Sequence, residues 1–438
     1  MDLLSPPAFA ASDLKTFVSP YKRLFRDKRL FEGFQACIWG IIGSGSCRVS
    51  QMAAHNPITA HVPHGERRLR RLLHARNQRA EVDADALGKV LSEEGAKLLA
   101  GEQEVLLVID ESDLRKPYSR RLEYLDTVSD LSGKSVPGYV TLSVLGIGES
   151  GQRALLYQRT FSSNDPEFKS LNKERERAIV QVEQALRKVL AGRFIWVMDR
   201  GFDDRKVFAF LQQRGSCFVV RVQHLERQCH ARPQDPKRAL NKLLEQASYA
   251  GDVFLESRLV NEQASEKTLS LKTYVAKLEL HQPRGLELSV VQLRHPDLKQ
   301  PWTLASNLKD DDKARLAKRL VQLYRMRWSI EDIYAWTKGA LDWESAALLS
   351  YPALRTLVSF AWLAAAFVFD LAGKLELPQL LFLARLGGWT PSKRPPGKAL
   401  LTQGLARLLA YLQVDQLLQR DRHAAFSFQQ LSEAFFPS

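Results

Sequence analysis

Residues 1 to about 98 carry their apolar side chains at helical spacing. Leu24, Phe25, Leu30, Phe31, Phe34 and Ile38 form one periodicity, which ends in the glycine-rich stretch Gly40 to Gly45. Recurrence at three- and four-residue steps predicts amphipathic helices. Val49–Ala53 follows, and beyond a proline-bounded loop Glu66–Leu73 predicts a helix with Leu69, Leu72 and Leu73 inward. Arg67, Arg68, Arg70 and Arg71 surround the rest of that helix.

From Glu104 the pattern becomes that of strands. Val105–Ile109 is apolar without alternation, as expected of a strand covered on both faces, and ends at Asp110. Gly138–Gly148 and Arg153–Phe161 read as a hairpin closed by Glu149, Ser150 and Gly151. Asp165–Leu190 predicts a long helix. Phe194–Met198 is a second unalternating apolar strand, ending at Asp199. A helix from Asp203 to about Arg214 and a strand over Cys217–Val222 complete this region. Residues 224–305 then alternate in short strand-like runs such as Leu269–Leu280 and Leu286–Leu293.

Helical signals return at Asp310, Asp311 and Asp312, which suit a helix N-terminus. Leu316, Leu320 and Leu323 form a stripe that then changes character. At about 100° per residue, Tyr324, Arg327, Glu331 and Lys338 keep the heading of Leu320 and replace leucine with polar groups. A helix leaving the core would show water the same face, with Arg327 and Glu331 paired one turn apart. Tyr351–Gly373 continues helical and apolar. Its 14 uncharged residues from Thr356 to Phe369 fall short of the ~20 that span a bilayer, so a buried core helix is expected. Gly387–Gly397, with Pro391, Pro395 and Pro396, reads as a linker, and Leu400–Arg422 is again helical.

Two strands that each end in an Asp give the polar stripe its interest, because ligand sites in helix-flanked sheets lie beyond the carboxyl ends of strands. Taken singly, each Asp is equally a turn residue or helix cap. The spacing Tyr-x2-Arg-x3-Glu-x6-Lys, met by Tyr324, Arg327, Glu331 and Lys338, together with Asp199-Arg200-Gly201-Phe202, resembles the DDE transposases of bacterial insertion sequences, in the group of the family-four type. The resemblance covers roughly residues 100 to 360. One departure is Ser112, where that group often has Thr two residues after its first Asp; a hydroxyl is kept.

The resemblance implies an α/β protein with a ribonuclease H-like (retroviral-integrase-like) core and a mixed sheet. Residues 1–98 would form a helical DNA-binding domain, 99–223 plus 306–372 the catalytic core, 224–305 a β-rich insertion domain and 373–438 a helical C-terminal region for subunit pairing or packing. Asp110, Asp199 and Glu331 would be the catalytic, metal-binding acids. Tyr324, Arg327 and Lys338 would grip terminal DNA, Arg200 would touch phosphate, and Trp302 would stack on a flipped base. The implied activity is cut-and-paste transposition: binding terminal inverted repeats, cleaving them and joining the 3′-ends to target DNA, in several members through hairpin ends. A nuclease without strand transfer and a domesticated, non-catalytic DNA-binding protein are the alternatives.

Composition sharpens this picture in two places. The chain of 438 residues carries 63 Lys+Arg against 49 Asp+Glu, a net charge of +14, which suits a polyanionic partner. Arg67, Arg68, Arg70 and Arg71 are then candidates for contact with the backbone of double-stranded DNA, in a helix-turn-helix-like setting; a solvated basic helix fits the same pattern. Cys37, Cys47, Cys217 and Cys229 lack paired metal-ligand spacing. Without a signal sequence or membrane span, the expected location is the bacterial cytoplasm, on the nucleoid. DNA transposition implies at least a homodimer on DNA.

The chemistry of three gathered acids follows from charge. At about 4 Å and an effective dielectric near 20, each like-charged pair costs on the order of 4 kcal/mol. Protons or cations must offset this. All-oxygen donors select Mg²⁺, with Mn²⁺ as substitute, and two such ions can activate an attacking oxygen and stabilise the leaving one at a phosphodiester. Asp332 falls off the polar stripe, and Glu111 should point opposite to Asp110.

Overall fold

A computed structural model describes residues 8–57, 61–73, 82–130, 132–257, 267–296, 301–391 and 396–420. Helices α1 (Ala8–Val18), α2 (Lys28–Ser44), α3 (Val49–Ala54), α4 (Val62–Leu73) and α5 (Ala84–Leu98) precede the first strand. Local chemistry sets their ends. Asp27 accepts a hydrogen bond from the Leu30 amide at 2.9 Å at the start of α2. Gly45, at φ +60°, ends it in the left-handed conformation. In α4, Leu69, Leu72 and Leu73 are buried as the periodicity predicts.

The strands and helices that follow are β1 (Glu104–Arg115), β2 (Asp126–Ser129), β3 (Ser135–Gly148), β4 (Arg153–Phe161), α6 (Leu171–Leu186), β5 (Arg193–Met198), α7 (Arg205–Arg214) and β6 (Cys217–Arg221). Next come β7 (Gln228–His230), β8 (Arg238–Ala239), α8 (Leu240–Leu244), β9 (Ser248–Ser257), β10 (Lys267–Leu280), β11 (Glu287–Arg294) and β12 (Trp302–Ser306). The remaining helices are α9 (Lys313–Arg325), α10 (Trp328–Ala340), α11 (Tyr351–Lys374), α12 (Leu377–Leu386) and α13 (Lys398–Arg420).

One sheet runs through the protein in the order β2-β3-β1-β5-β6-β12-β11-β10-β7-β8, with β4 on β3 and β9 on β10. It is mixed: β1–β5 and β5–β6 are parallel, and the other pairs are antiparallel. Because β12 pairs with β6, the strand-rich segment between them extends the sheet that carries β1 and β5.

The two-residue period of the strands sorts the layers. Leu107, Ile109, Trp196 and Met198 pack with Ala178, Ile179 and Val182 of α6. Val108, Ile195 and Val197 pack on the opposite side, in the core that includes Leu320 of α9, Ile333 of α10 and much of α11. The N-terminal helices join that second layer, and Asp85 of α5 pairs with Arg355 of α11 at 2.6 Å.

Several elements differ from the sequence expectation. β1 does not stop at Asp110. Its antiparallel ladder with β3 continues to Arg115, and only its parallel pairing with β5 ends, at Ile109 opposite Met198. The helix expected from Asp165 starts later, where Ser170 caps the Lys173 amide. The segment around Arg327 is two helices joined by a tight turn, with amide-to-carbonyl bonds from Met326 to Leu323 and from Arg327 to Tyr324. Such three-residue bonds turn the chain more per residue than an α-helix, so the arc drawn for a single helix is only approximate.

α11 has 24 residues and is long and apolar enough by composition to cross a membrane, yet most of it is buried within the protein. α12 was not expected. Pro378 near its start and Gln379, whose side chain accepts from the Glu376 amide at 3.0 Å, were the available signals. The expected linker over 387–397 and the end of the last helix lie partly outside the described residues.

Gly192 holds the β1–β5 pair together at its start. A Cβ there would stand 2.1 Å from the Gln103 carbonyl oxygen, which accepts the Arg193 amide at 2.9 Å. Gly192→Ala is therefore expected to cost roughly 1–3 kcal/mol of stability, read as a lowered midpoint in urea unfolding.

Candidate active site

Register and alternation together decide where the two strand acids go. Ile109 lies opposite Met198 in the parallel pair, so Asp110 and Asp199 follow at the same level on neighbouring strands, which are spaced about 4.8 Å apart. Val108 and Val197, two residues earlier, both face the layer of α9 and α10. Asp110 and Asp199 inherit that face. Glu111 takes the other one, where Arg175 of α6 meets it at 2.7 Å.

The segment joining α9 to α10 supplies the remaining groups. The Tyr324 hydroxyl donates to Asp199 Oδ1 at 3.0 Å. Arg327 donates through Nη2 to Glu331 Oε1 at 2.6 Å and through Nη1 to Asp110 Oδ2 at 3.4 Å. Its guanidinium also lies 4.7 Å from the centre of the Trp328 ring. The Tyr334 hydroxyl donates to the Asp110 carbonyl at 2.7 Å, fixing the backbone beneath the first acid. Asp110, Asp199, Glu331, Tyr324 and Arg327 thus form one connected group, although 221 positions separate the first from the last in the chain (331 − 110 = 221).

Burial gives this group its electrostatics. Loss of water around Asp110 is the main cause that pushes its carboxyl up to about 7; the Asp199 and Glu331 charges add to the rise, and Arg327 and the Glu111 amide oppose it. Burial and then Asp199 raise the Tyr324 hydroxyl, which keeps it a donor. Burial would lower the Arg327 guanidinium, but its hydrogen bond and charge pairing with Glu331 outweigh that and raise it.

Three carboxylates offering only oxygen donors fit hard divalent cations in kind. Among the described residues, no three acid, His or Cys side chains already stand close enough to hold a metal. The buried Arg327 guanidinium carries the positive charge between Asp110 and Glu331 instead. Cation loading at these acids therefore requires Arg327 to leave at least one of them.

The other expected residues lie at varying distances from this group. Arg200 is exposed in the short turn Arg200–Phe202, directly after Asp199. Trp302 is half-buried, its ring 6.4 Å from that of Tyr324, with Arg221 5.1 Å from its centre. Lys338 is engaged by protein: it donates to the Asp113 carbonyl at 2.8 Å and lies 3.6 Å from Glu344. Asp332 is exposed, and Asp204 caps α7 by accepting from the Lys206 amide.

Asp203, which sequence placed with Asp204 at the helix start, instead accepts the Gln223 and His224 amides. Arg67, Arg70 and Arg71 are exposed on α4, while Arg68 is partly withdrawn onto Glu32 at 2.9 Å. With Arg29 and His64 they border a cleft of about 420 Å³ between α2 and α4, far from the acids in sequence.

Sequence reasoning missed Tyr334 and Glu344. Tyr334 bonds a backbone carbonyl, which leaves no pattern of residue types to find. Glu344 holds Arg115 through Nε at 3.0 Å and Nη2 at 3.1 Å, and its own place depends on the sharp turn at Asp342 (φ +43°).

The fold and these contacts define an all-carboxylate site carried by two adjacent parallel strands and a facing helix. Residues 170–367 match the family model described as a transposase DDE domain. That span includes Asp199, Tyr324, Arg327, Glu331 and Lys338, and the match supports a transposase role acting on DNA. Asp110 precedes the matched span, so its place in the group rests on its register with Asp199 and its contact with Arg327. No curated protein matches the chain.

The raised Asp110 carboxyl has a consequence for the metal-free protein. Its folded value lies above the ~3.9 of an unfolded Asp, so the stability it contributes is complete below about pH 4 and is lost as pH rises through about 7. Without divalent cations, the urea midpoint of the native chain should fall over that window, and Asp110→Asn should flatten the fall. Parallel pH profiles for the two proteins would contradict the assigned burial.

Proposed function

We propose that this protein is a DNA transposase that cleaves the ends of its element and joins the freed 3′-ends to target DNA. Asp110, Asp199 and Glu331 hold two Mg²⁺ ions, with Mn²⁺ as substitute, in a ribonuclease H-like core. The observation that carries the reading is the level, same-face placement of Asp110 and Asp199 opposite the segment bearing Glu331. The order β4-β3-β1-β5-β6, antiparallel on one side of β1 and parallel on the other, supports the core assignment, and the DDE-domain match supports the chemistry.

The bound ions would activate the attacking oxygen and stabilise the leaving one; the protein's own groups do the positioning. Arg327, with its planar fork of donors, leaves Glu331 and Asp110 for a phosphate near the scissile bond. Tyr324 orients Asp199 through its hydroxyl, and Trp302 and Arg200 border the same opening. The basic cleft of Arg29, Arg67 and Arg71 engages the DNA backbone away from the site. Two ends must be brought together, so two copies act on DNA.

The test uses duplex DNA from the flanks of the coding region. Mg²⁺-dependent nicking of that DNA and joining to a target plasmid are expected; nicking without joining would indicate a nuclease. Asp110→Ala, Asp199→Ala and Glu331→Ala should each abolish cleavage while leaving end binding measurable by gel shift. Retained cutting by any one variant removes that residue from the site. Arg327→Ala is expected to weaken cleavage more than overall end binding, and an equal loss of both would contradict its place at the scissile phosphate.

A further inference from the structure

The rear face of the sheet, opposite the acids, carries a buried arginine that the chemistry above does not use. Arg175 of α6 is 4% exposed. It grips Glu111 with both prongs, Nε to Oε1 at 2.7 Å and Nη2 to Oε2 at 3.2 Å. Nη1 reaches Asn172 of its own helix at 3.3 Å. The guanidinium also lies 4.2 Å from the centre of the Phe202 ring.

Both partners lead directly to an acid. Glu111 follows Asp110, and its amide donates to Asp110 Oδ1 at 2.9 Å. Phe202 closes the turn after Asp199, its amide donating to the Asp199 carbonyl at 3.0 Å. One rigid cation therefore contacts the residue that hydrogen-bonds the first acid and the ring that closes the turn of the second. No strand pairing does this, because the β1–β5 ladder ends at Ile109 and Met198. Beyond that point the two chains are free of each other except through Arg175.

We infer that Arg175 is a positioning residue that clamps the chain segments of Asp110 and Asp199 from behind the sheet and so fixes their separation for divalent cations. The inference rests on the metal role proposed above. A bidentate guanidinium stacked on an aromatic ring resists both sliding and tilting, which suits it to hold two backbones in register. Groups of this kind behind metal ligands typically alter metal affinity 10–100-fold when removed.

The probe is Mn²⁺, followed by electron paramagnetic resonance on the full chain bound to a duplex from its element's flank. Arg175→Met with Glu111→Gln removes both charges, so that no buried ion is left unpaired. A control pair, Arg214→Met with Glu183→Gln, removes a comparably buried bridge (2.6 Å) between α6 and α7 that touches neither acid.

The Arg175 pair should raise the Mn²⁺ concentration for half-saturation at least tenfold, and the control should leave it within twofold. Unchanged Mn²⁺ affinity in the Arg175 pair, while Asp110→Asn abolishes binding, overturns the clamp and leaves the metal reading intact. Equal weakening by both pairs reduces Arg175 to general stability and overturns the clamp as well. Mn²⁺ binding that is absent from the native chain, or indifferent to Asp110→Asn, removes the metal reading and the clamp together. If the double variant does not fold, Arg175→Lys, which keeps the charge and loses the two-pronged grip, carries the same test with at least a threefold rise expected.

Discussion

The pairing of β1 with β5 governs everything else in this protein. In a parallel pair, side-chain direction alternates with a period of two, and a shift by one residue in either strand turns its whole set of side chains to the opposite face. Val108 and Val197 are held against α9 and α11 while Leu107 and Met198 are held against α6. Each strand is thereby locked by apolar packing on both sides, and a slip would drive Asp110 into the α6 layer. The acids are aligned by leucines, valines and isoleucines that never touch them.

Gathering negative charge at the end of such strands creates a problem that the protein answers with Arg327. Its guanidinium is buried, bonded to Glu331 and in reach of Asp110. A buried cation stripped of its partners would be strongly destabilising, so the guanidinium and the acids depend on one another in the resting state. The break between α9 and α10 makes this possible. Had one straight α-helix run through the segment, the directions of Tyr324 and Arg327 relative to Glu331 would differ from those seen. The tight turn at Met326 and Arg327 sends Tyr324 to Asp199 while Arg327 reaches Asp110.

Much of the strand framework was legible from residue order alone, for a definite reason. Val105–Ile109 and Phe194–Met198 are uniformly apolar because both faces are covered, and the hairpin at Gly151 carries its own turn residue at φ +88°. The opposed direction of Glu111 followed from alternation. The extension of β1 to Arg115 was not legible, because Glu111, Ser112 and Asp113 look like a turn and are held in a strand only by the ladder with β3. Tyr334 and Glu344 were hidden because their roles depend on partners distant in the chain. Lys338 was expected at DNA and is held by Asp113 and Glu344; the motif spacing that singles it out says nothing about which oxygen it meets.

The antiparallel seam between β6 and β12 has an architectural consequence. Val219 to Arg221 is stitched to Leu304 to Ser306, so the long excursion between them departs from and returns to the same place. Closing a longer or shorter excursion there changes the entropic cost only slowly with its length. The stem is thus insulated from what grows on it: β7 to β11 can be lengthened, trimmed or reshaped without shifting the strand that delivers the chain into α9. A lineage could remodel that outer lobe for new DNA ends while inheriting the acidic cup unchanged.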